Sequence, residues 1–131
     1  MFDFSTLKRP SSPNTALYAD EGDTSSTADK PALRLQHPPA VVIAAWDGIV
    51  RAAARTDVVL SDPERGIHHA VQRSRIFRFP DDIHAEARPL EGGGTRLLVY
   101  SASRVGRSDL GVNGKRLAAW TKELETALSR R

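Results

Sequence analysis

The chain has 131 residues, of which 40% are hydrophobic and 27% charged, and this composition suits one globular domain with a core of its own. It has no Cys, so a disulfide framework and a thiolate metal site are both excluded. No run approaches the roughly 20 apolar residues that cross a bilayer, and the start has no apolar signal region. We therefore expect a soluble, cytoplasmic protein.

Positive charge is concentrated in the last part of the chain. Residues 101–131 carry seven Lys or Arg against three Asp or Glu, whereas residues 1–100 carry twelve against thirteen. A basic segment can neutralise nucleic-acid phosphates, but aromatic residues are only 6% of the chain and do not interleave with basic residues as a stacking platform requires. We expect a solvated helix face and no specific nucleic-acid partner.

The first 31 residues are rich in Pro, Ser and Asp, and such a composition argues against regular structure. We predict an irregular arm over residues 1–31 with one mobile loop, followed by a single α+β domain over residues 32–131. Apolar and polar residues alternate over residues 32–36, which predicts a short edge strand.

Two helices are predicted from apolar residues that recur at spacings of three and four. The first covers about residues 39–55, with Pro in its first turn and Trp46 as an anchor of the core. The second covers residues 114–131 and is amphipathic. Asn113 or Asp109 is the candidate N-cap of this second helix.

Four strand-like runs lie between the helices and are separated by short turns. They cover residues 56–61, 67–77, 82–90 and 95–103. Connections this short join neighbouring antiparallel strands. The sequence thus predicts an α+β fold, in which an antiparallel meander of four to five strands is flanked by two helices in the order helix, four strands, helix.

A polar cluster is expected at one end of this sheet, where the second and fourth runs end and the third begins. The candidate ligand-binding residues there and in the following loop are Ser74, Arg75, Asp82, Ser103, Arg104, Arg107, Ser108, Asp109 and Asn113. Neighbouring strands lie about 4.8 Å apart, which brings Arg75 and Arg104 within reach of Asp82. We predict that these three residues and Asp109 form one coupled unit.

Two interpretations of this cluster stay open. It is either an Arg–Asp network that pins the chain entering the last helix, or a site that holds a small anion by Arg side chains and backbone N–H groups of residues 106–111. We favour a non-enzymatic module that binds a small anion or a protein partner. The alternative is a hydrolase or transferase in which Asp81, Asp82 and Asp109 serve as acid and base, although no positioned nucleophile accompanies them.

No cofactor or metal site is predicted. His68 and His69 are adjacent in a strand and therefore point to opposite faces, while His37 and His84 are isolated in the sequence. The three Gly at residues 92–94 precede a strand rather than a helix, which indicates a hairpin turn and not a phosphate-binding loop.

Several motifs give the chain a resemblance to a known family. They are SPN at residues 12–14, Trp46, SR at 74–75, FPDD at 79–82, SASRVGRSDLGVN at 101–113 and KR at 115–116. Together they resemble family 1499 of the domains of unknown function over about residues 10–128. This family has no established activity, so the resemblance implies a single domain and no reaction. Its members usually have a Cys where this chain has Thr15, and no role for such a thiol is expected here.

Overall fold

The computed structural model describes residues 2–106 and 110–131. In these residues two helices cover one face of a six-stranded antiparallel sheet, which makes the fold α+β. The helices are α1 (Pro39–Ala52) and α2 (Val112–Ser129). The strands are β1 (Thr15–Tyr18), β2 (Leu33–Leu35), β3 (Thr56–Asp62), β4 (Ile67–Arg73), β5 (Pro80–Pro89) and β6 (Thr95–Ser103).

The sheet is a meander extended at one edge by two short strands. Its order is β1-β6-β5-β4-β3, and β2 pairs with β6 beside β1. The longest ladder joins β5 to β6, from Asp81 opposite Ser103 to Pro89 opposite Thr95. Both connections that follow β4 and β6 therefore lie at the same end of the sheet.

The two helices, the four central strands and the antiparallel meander are confirmed, but two features of the predicted fold need correction. The sheet has six strands rather than four to five, and two of them precede α1, so the order is not helix, four strands, helix. β1 lies inside the segment predicted to be irregular. Its four residues form a strand because they pair with β6, more than eighty positions away, and such tertiary pairing overrides local propensity.

The second predicted run is also shorter than expected, because β4 ends at Arg73 and not at residue 77. The backbone N–H of Ser74 donates to the carbonyl of Phe79 at 2.9 Å, and the Ser74 hydroxyl accepts from the Phe79 N–H at 2.9 Å. These two bonds close a loop over residues 75–78.

The main core lies between the helices and the sheet. Trp46 of α1 is fully buried, as predicted for a core anchor, and meets Trp120 of α2 edge to face with ring centroids 5.8 Å apart. Ile83 and Ala85 of β5 face this core, and the residues that alternate with them face the other side of the sheet. A β-strand places successive side chains on opposite faces, so this alternation decides which polar residues lie against the helices.

The opposite face of the sheet is covered in part by the N-terminal segment. Phe4, in a short 3-10 turn (Phe4–Thr6), is buried with Leu17, Leu98 and Tyr100 in a second apolar cluster. The first residues of the chain therefore contribute to the packing of the domain.

Candidate functional site

A buried polar network joins the sheet to the start of α2 on the helix-covered face. Its centre is Arg116, whose side chain is only 8% exposed. The guanidinium donates to the Asp81 carboxylate at 2.9 Å and to the Gln72 amide oxygen at 2.6 Å. It also donates to the Ser101 hydroxyl at 3.0 Å. A buried charge with this many partners holds elements together and is not available to a ligand.

Asn113 is the second member of this network and is fully buried. Its amide nitrogen donates to the Asn14 carbonyl at 2.9 Å and to the Ser103 hydroxyl at 3.0 Å. Its oxygen accepts from Arg116 at 2.7 Å. Asn113 therefore lies inside α2 and does not cap it; the N-cap is Gly111 in a left-handed conformation, with a φ of 81°.

Asp82 and Arg104 form an ion pair on the opposite face. Arg104 Nε donates to Asp82 Oδ2 at 2.7 Å and Nη2 donates to Oδ1 at 2.8 Å, and the Arg104 side chain is 49% exposed. Burial would raise the pKa of Asp82, but hydrogen bonds from Arg104 and His69 outweigh it and lower that pKa to about 2. Asp82 is therefore ionised at neutral pH, which makes it a poor proton donor or acceptor.

Two imidazole rings continue this cluster across β4 and β5. His69 and His84 lie directly opposite each other in the ladder, and their rings stack with centroids 4.1 Å apart. His69 Nε2 lies 2.8 Å from Asp82 Oδ1, while Phe2 stacks on His84 at 3.8 Å. Burial, and then the neighbouring His69, lower the pKa of His84 to about 4, so its ring is neutral at pH 7. His84 is isolated in the sequence but not in the structure, because the register of the two strands places His69 opposite it.

A groove with a volume of 540 Å³ opens beside these rings. It runs between β3, β4, β5 and the N-terminal segment. Its lining includes Phe2, Phe4, Val59, Ile67, His69 and His84. The groove gives solvent and small solutes access to one side of the imidazole rings.

Exposed apolar side chains gather at the end of the sheet where the polar cluster was predicted. We call this surface the loop end and define it by residues 74–79, 104–106 and 110–112. Its large exposed apolar residues are Ile76, Phe77, Phe79, Val105, Leu110 and Val112. The Arg104 N–H donates to the Pro80 carbonyl at 3.1 Å, which holds the two loops side by side. Ile76 is 79% exposed and Phe77 73%, values unusual for such large apolar residues.

Cations surround these apolar side chains. Exposed basic residues on or next to the loop end are Arg55, Arg75, Arg78, Arg104 and Lys115. Arg75 and Arg78 directly flank Ile76 and Phe77 in the sequence. In the described part of this end Asp57 is an exposed carboxylate, while the carboxylates of β5 are held in ion pairs. The surface is therefore both apolar and basic.

The structure brings together only part of the predicted unit. Arg104 pairs with Asp82 as expected, but Arg75 is exposed and makes no ion pair within the residues that the structure describes. Ser74 closes its own loop. Three candidates, Arg107, Ser108 and Asp109, lie outside the described residues. The predicted single cluster is in fact two clusters, because Asp81 and Asp82 are neighbours on one strand and point to opposite faces.

Sequence reasoning missed two features of this end of the sheet. One is Arg116, which lies three positions after Asn113 and so on the same side of a helix; that spacing was the available signal. The other is the exposed pair Ile76 and Phe77, which an apolar pattern assigned to a strand. The available signal was the Arg on either side of this pair, which the strand prediction did not take into account.

These features define a small α+β domain with a six-stranded sheet, in which most of the large exposed apolar side chains of the described residues lie at one end. The family model described as Protein of unknown function (DUF1499) matches residues 7–124. The chain therefore belongs to this family, and the resemblance seen in its motifs is confirmed. No curated protein matches the chain. Among the described residues no helix combines the length and hydrophobicity needed to cross a membrane.

Proposed function

We propose that this chain is a non-enzymatic binding domain that docks onto an anionic bilayer surface through its loop end. The observation that carries the proposal is that six of the seven large apolar side chains exposed among the described residues lie at the loop end. An exposed apolar patch of this kind marks an interaction surface. The cations around this patch favour a partner with negative charge.

An anionic bilayer complements both the apolar and the basic character of this surface. Apolar side chains can enter the boundary between headgroups and acyl chains while flanking cations remain at the phosphates. The order Arg75-Ile-Phe-Arg78 has this arrangement within four residues. The Phe77 and Phe79 rings stack with centroids 5.5 Å apart, so two rings are presented together.

The expected strength of docking follows from the exposed side chains. Burial of Ile76 and Phe77 contributes about 1.5–3 kcal/mol each when it is complete. Each cation near an anionic surface adds about 1 kcal/mol, and salt weakens this contribution. Together these terms favour reversible binding rather than permanent anchoring.

Two observations support a binding role over acid–base catalysis. Both oxygens of Asp82 accept hydrogen bonds from Arg104, and Asp81 is bound to the buried Arg116. Each carboxylate is therefore engaged in an ion pair that favours its ionised form, which does not suit a general acid. The Arg104 guanidinium already donates to Asp82, so the exposed Arg75 and Arg78 are the better candidates for contact with phosphate groups.

Co-sedimentation with vesicles tests the proposal. Wild type should pellet with vesicles that contain phosphatidylglycerol, pellet much less with phosphatidylcholine alone, and be released by added salt. The double variant Ile76→Ser/Phe77→Ser should bind roughly 150–900-fold more weakly, because it loses about 3–4 kcal/mol of apolar transfer. Both positions are exposed, so folding stability should change by no more than about 0.5 kcal/mol per position.

Val59→Ser is the matched control. Val59 is 60% exposed but lies on β3, away from the loop end, so this variant should bind vesicles like wild type. Equal binding of wild type and the double variant would contradict the proposal, as would wild type that never pellets. Stabilisation by inorganic phosphate without vesicle binding would also contradict it and favour a small-anion site.

A further inference from the structure

We propose that His69, His84 and Asp82 form a binding site for a divalent transition-metal ion such as Zn²⁺. The site lies on the face of the sheet away from the helices, and Arg104, which pairs with Asp82, is the residue that connects it to the loop end. His69 and His84 are cross-strand partners, and Asp82 precedes His84 by two residues on β5, so all three point to one face. One donor atom from each residue lies within 4.8 Å of the others.

The donor set suits this class of ion. Two imidazole nitrogens and one carboxylate oxygen form a common three-residue ligand set for Zn²⁺, in which water or another ligand takes the fourth position. Ca²⁺ and Mg²⁺ prefer oxygen ligands alone, and the site has no thiolate that would favour Cu(I). The groove beside the rings supplies the open side for the fourth ligand.

Metal binding requires the two imidazole rings to turn. They stack nearly parallel, with centroids 4.1 Å apart and an interplanar angle of 16°, whereas two nitrogens on a tetrahedral ion at 2.0–2.1 Å lie about 3.3 Å apart. Because each lone pair lies in the plane of its ring, rotation about the side-chain torsions would aim both lone pairs at a shared ion. The ligands sit on hydrogen-bonded strands, which fix their Cα positions before any ion arrives.

Neighbouring side chains contact two of the ligands. The Arg104 fork orients the Asp82 carboxylate, and Phe2 stacks on the outer face of His84. The described residues form no hydrogen bond to the His84 imidazole, so its nitrogens are not committed to another role. Outer partners of this kind tune metal affinity by orienting the ligands.

The test uses full-length protein from which any affinity tag has been removed. His84→Phe deletes the ligand nitrogens and keeps a ring between Phe2 and His69, so the stack should survive. Zn²⁺ affinity, measured by competition with a chromophoric chelator, should fall by more than the roughly 10–100-fold that loss of an outer partner alone costs. Co²⁺ should give visible d–d absorption with wild type, and this absorption should disappear in His84→Phe.

Asp82→Asn is a second variant of nearly the same shape and should also weaken Zn²⁺ at least tenfold, which keeps the test valid if His84→Phe folds poorly. His37→Asn is the control, because His37 lies outside the cluster, and its affinity should match that of wild type. Zn²⁺ bound equally well by wild type, His84→Phe and Asp82→Asn would overturn the proposal, as would wild type that neither binds Zn²⁺ nor is stabilised by it. Vesicle binding of His84→Phe should remain like wild type, so the two proposals can fail separately.

Discussion

Replacing Arg116 by Met should be among the most damaging single changes in this chain. The substitution keeps the aliphatic part of the side chain but leaves Asp81 with its charge and without its cation. Both side chains are nearly inaccessible, at 8% and 12% exposure. Removal of one partner from a buried ion pair costs about 3–5 kcal/mol. For a domain of this size each kcal/mol lowers the Tm by roughly 3–4 °C, so the Tm should fall by about 10–20 °C.

Arg104→Met is the comparison that isolates burial as the cause. Arg104 makes two good hydrogen bonds to Asp82, but about half of its side chain is exposed. An exposed pair of this kind contributes roughly 0–1 kcal/mol. Removal of Arg104 would cost on the order of 3 kcal/mol if its side chain were buried, but in the structure the buried member is Arg116 instead.

Urea unfolding and calorimetry test whether burial determines the size of these losses. The four proteins to compare are wild type, Arg116→Met, Arg104→Met and Arg116→Met/Asp81→Leu. The double variant should recover much of the loss, because no lone charge remains in the core. Arg116→Met no less stable than Arg104→Met would refute the reasoning. A double variant that loses the full sum of its single changes would refute the coupling of Arg116 to Asp81.

Three further predictions concern other parts of the fold. Gly66→Ala should cost about 1–3 kcal/mol in urea unfolding, because Gly66 has a φ of 69° and a Cβ there would lie 2.5 Å from the Ala87 carbonyl oxygen; unchanged stability would be a contrary result. Trp120→Ala should cost about 3–5 kcal/mol, and a Tm within a few degrees of wild type would contradict the role given to α2. The hydrogen bond from Arg34 lowers the pKa of Asp20 to about 2, so the stability that ionised Asp20 contributes is full above about pH 4 and is lost as pH falls toward 2; Asp20→Asn should flatten this part of the stability profile.

Regular elements were predictable where a periodic pattern reflects burial. The stripe that includes Trp46 predicted α1, and alternation along β5 predicted that Ile83 faces the core, because one face of each element is covered by the other. β1 was not predictable in this way. Its residues, from Thr15 to Tyr18, have too short a pattern, and they form a strand only because β6 offers a free edge.

The candidate site, too, could be predicted from the sequence only in part. The sheet topology predicted that Asp82 and Arg104 would meet, since strand order alone determines which ends lie together. Strand register and burial could not be predicted from the sequence, and they determine the other contacts of the candidate site. Register places His69 opposite His84, and burial separates the enclosed Arg116 from the exposed Arg75.

The most direct test of docking through the loop end uses the fact that the chain has no Cys. Ile76→Cys then gives a single attachment point for an environment-sensitive NBD fluorophore, and Val59→Cys gives the same label away from the loop end. Anionic vesicles should shift the emission of the label at residue 76 to the blue and increase its intensity, while the label at residue 59 should not respond. Emission at residue 76 that stays unchanged while the protein pellets with the vesicles, or an equal response at residue 59, would contradict this prediction.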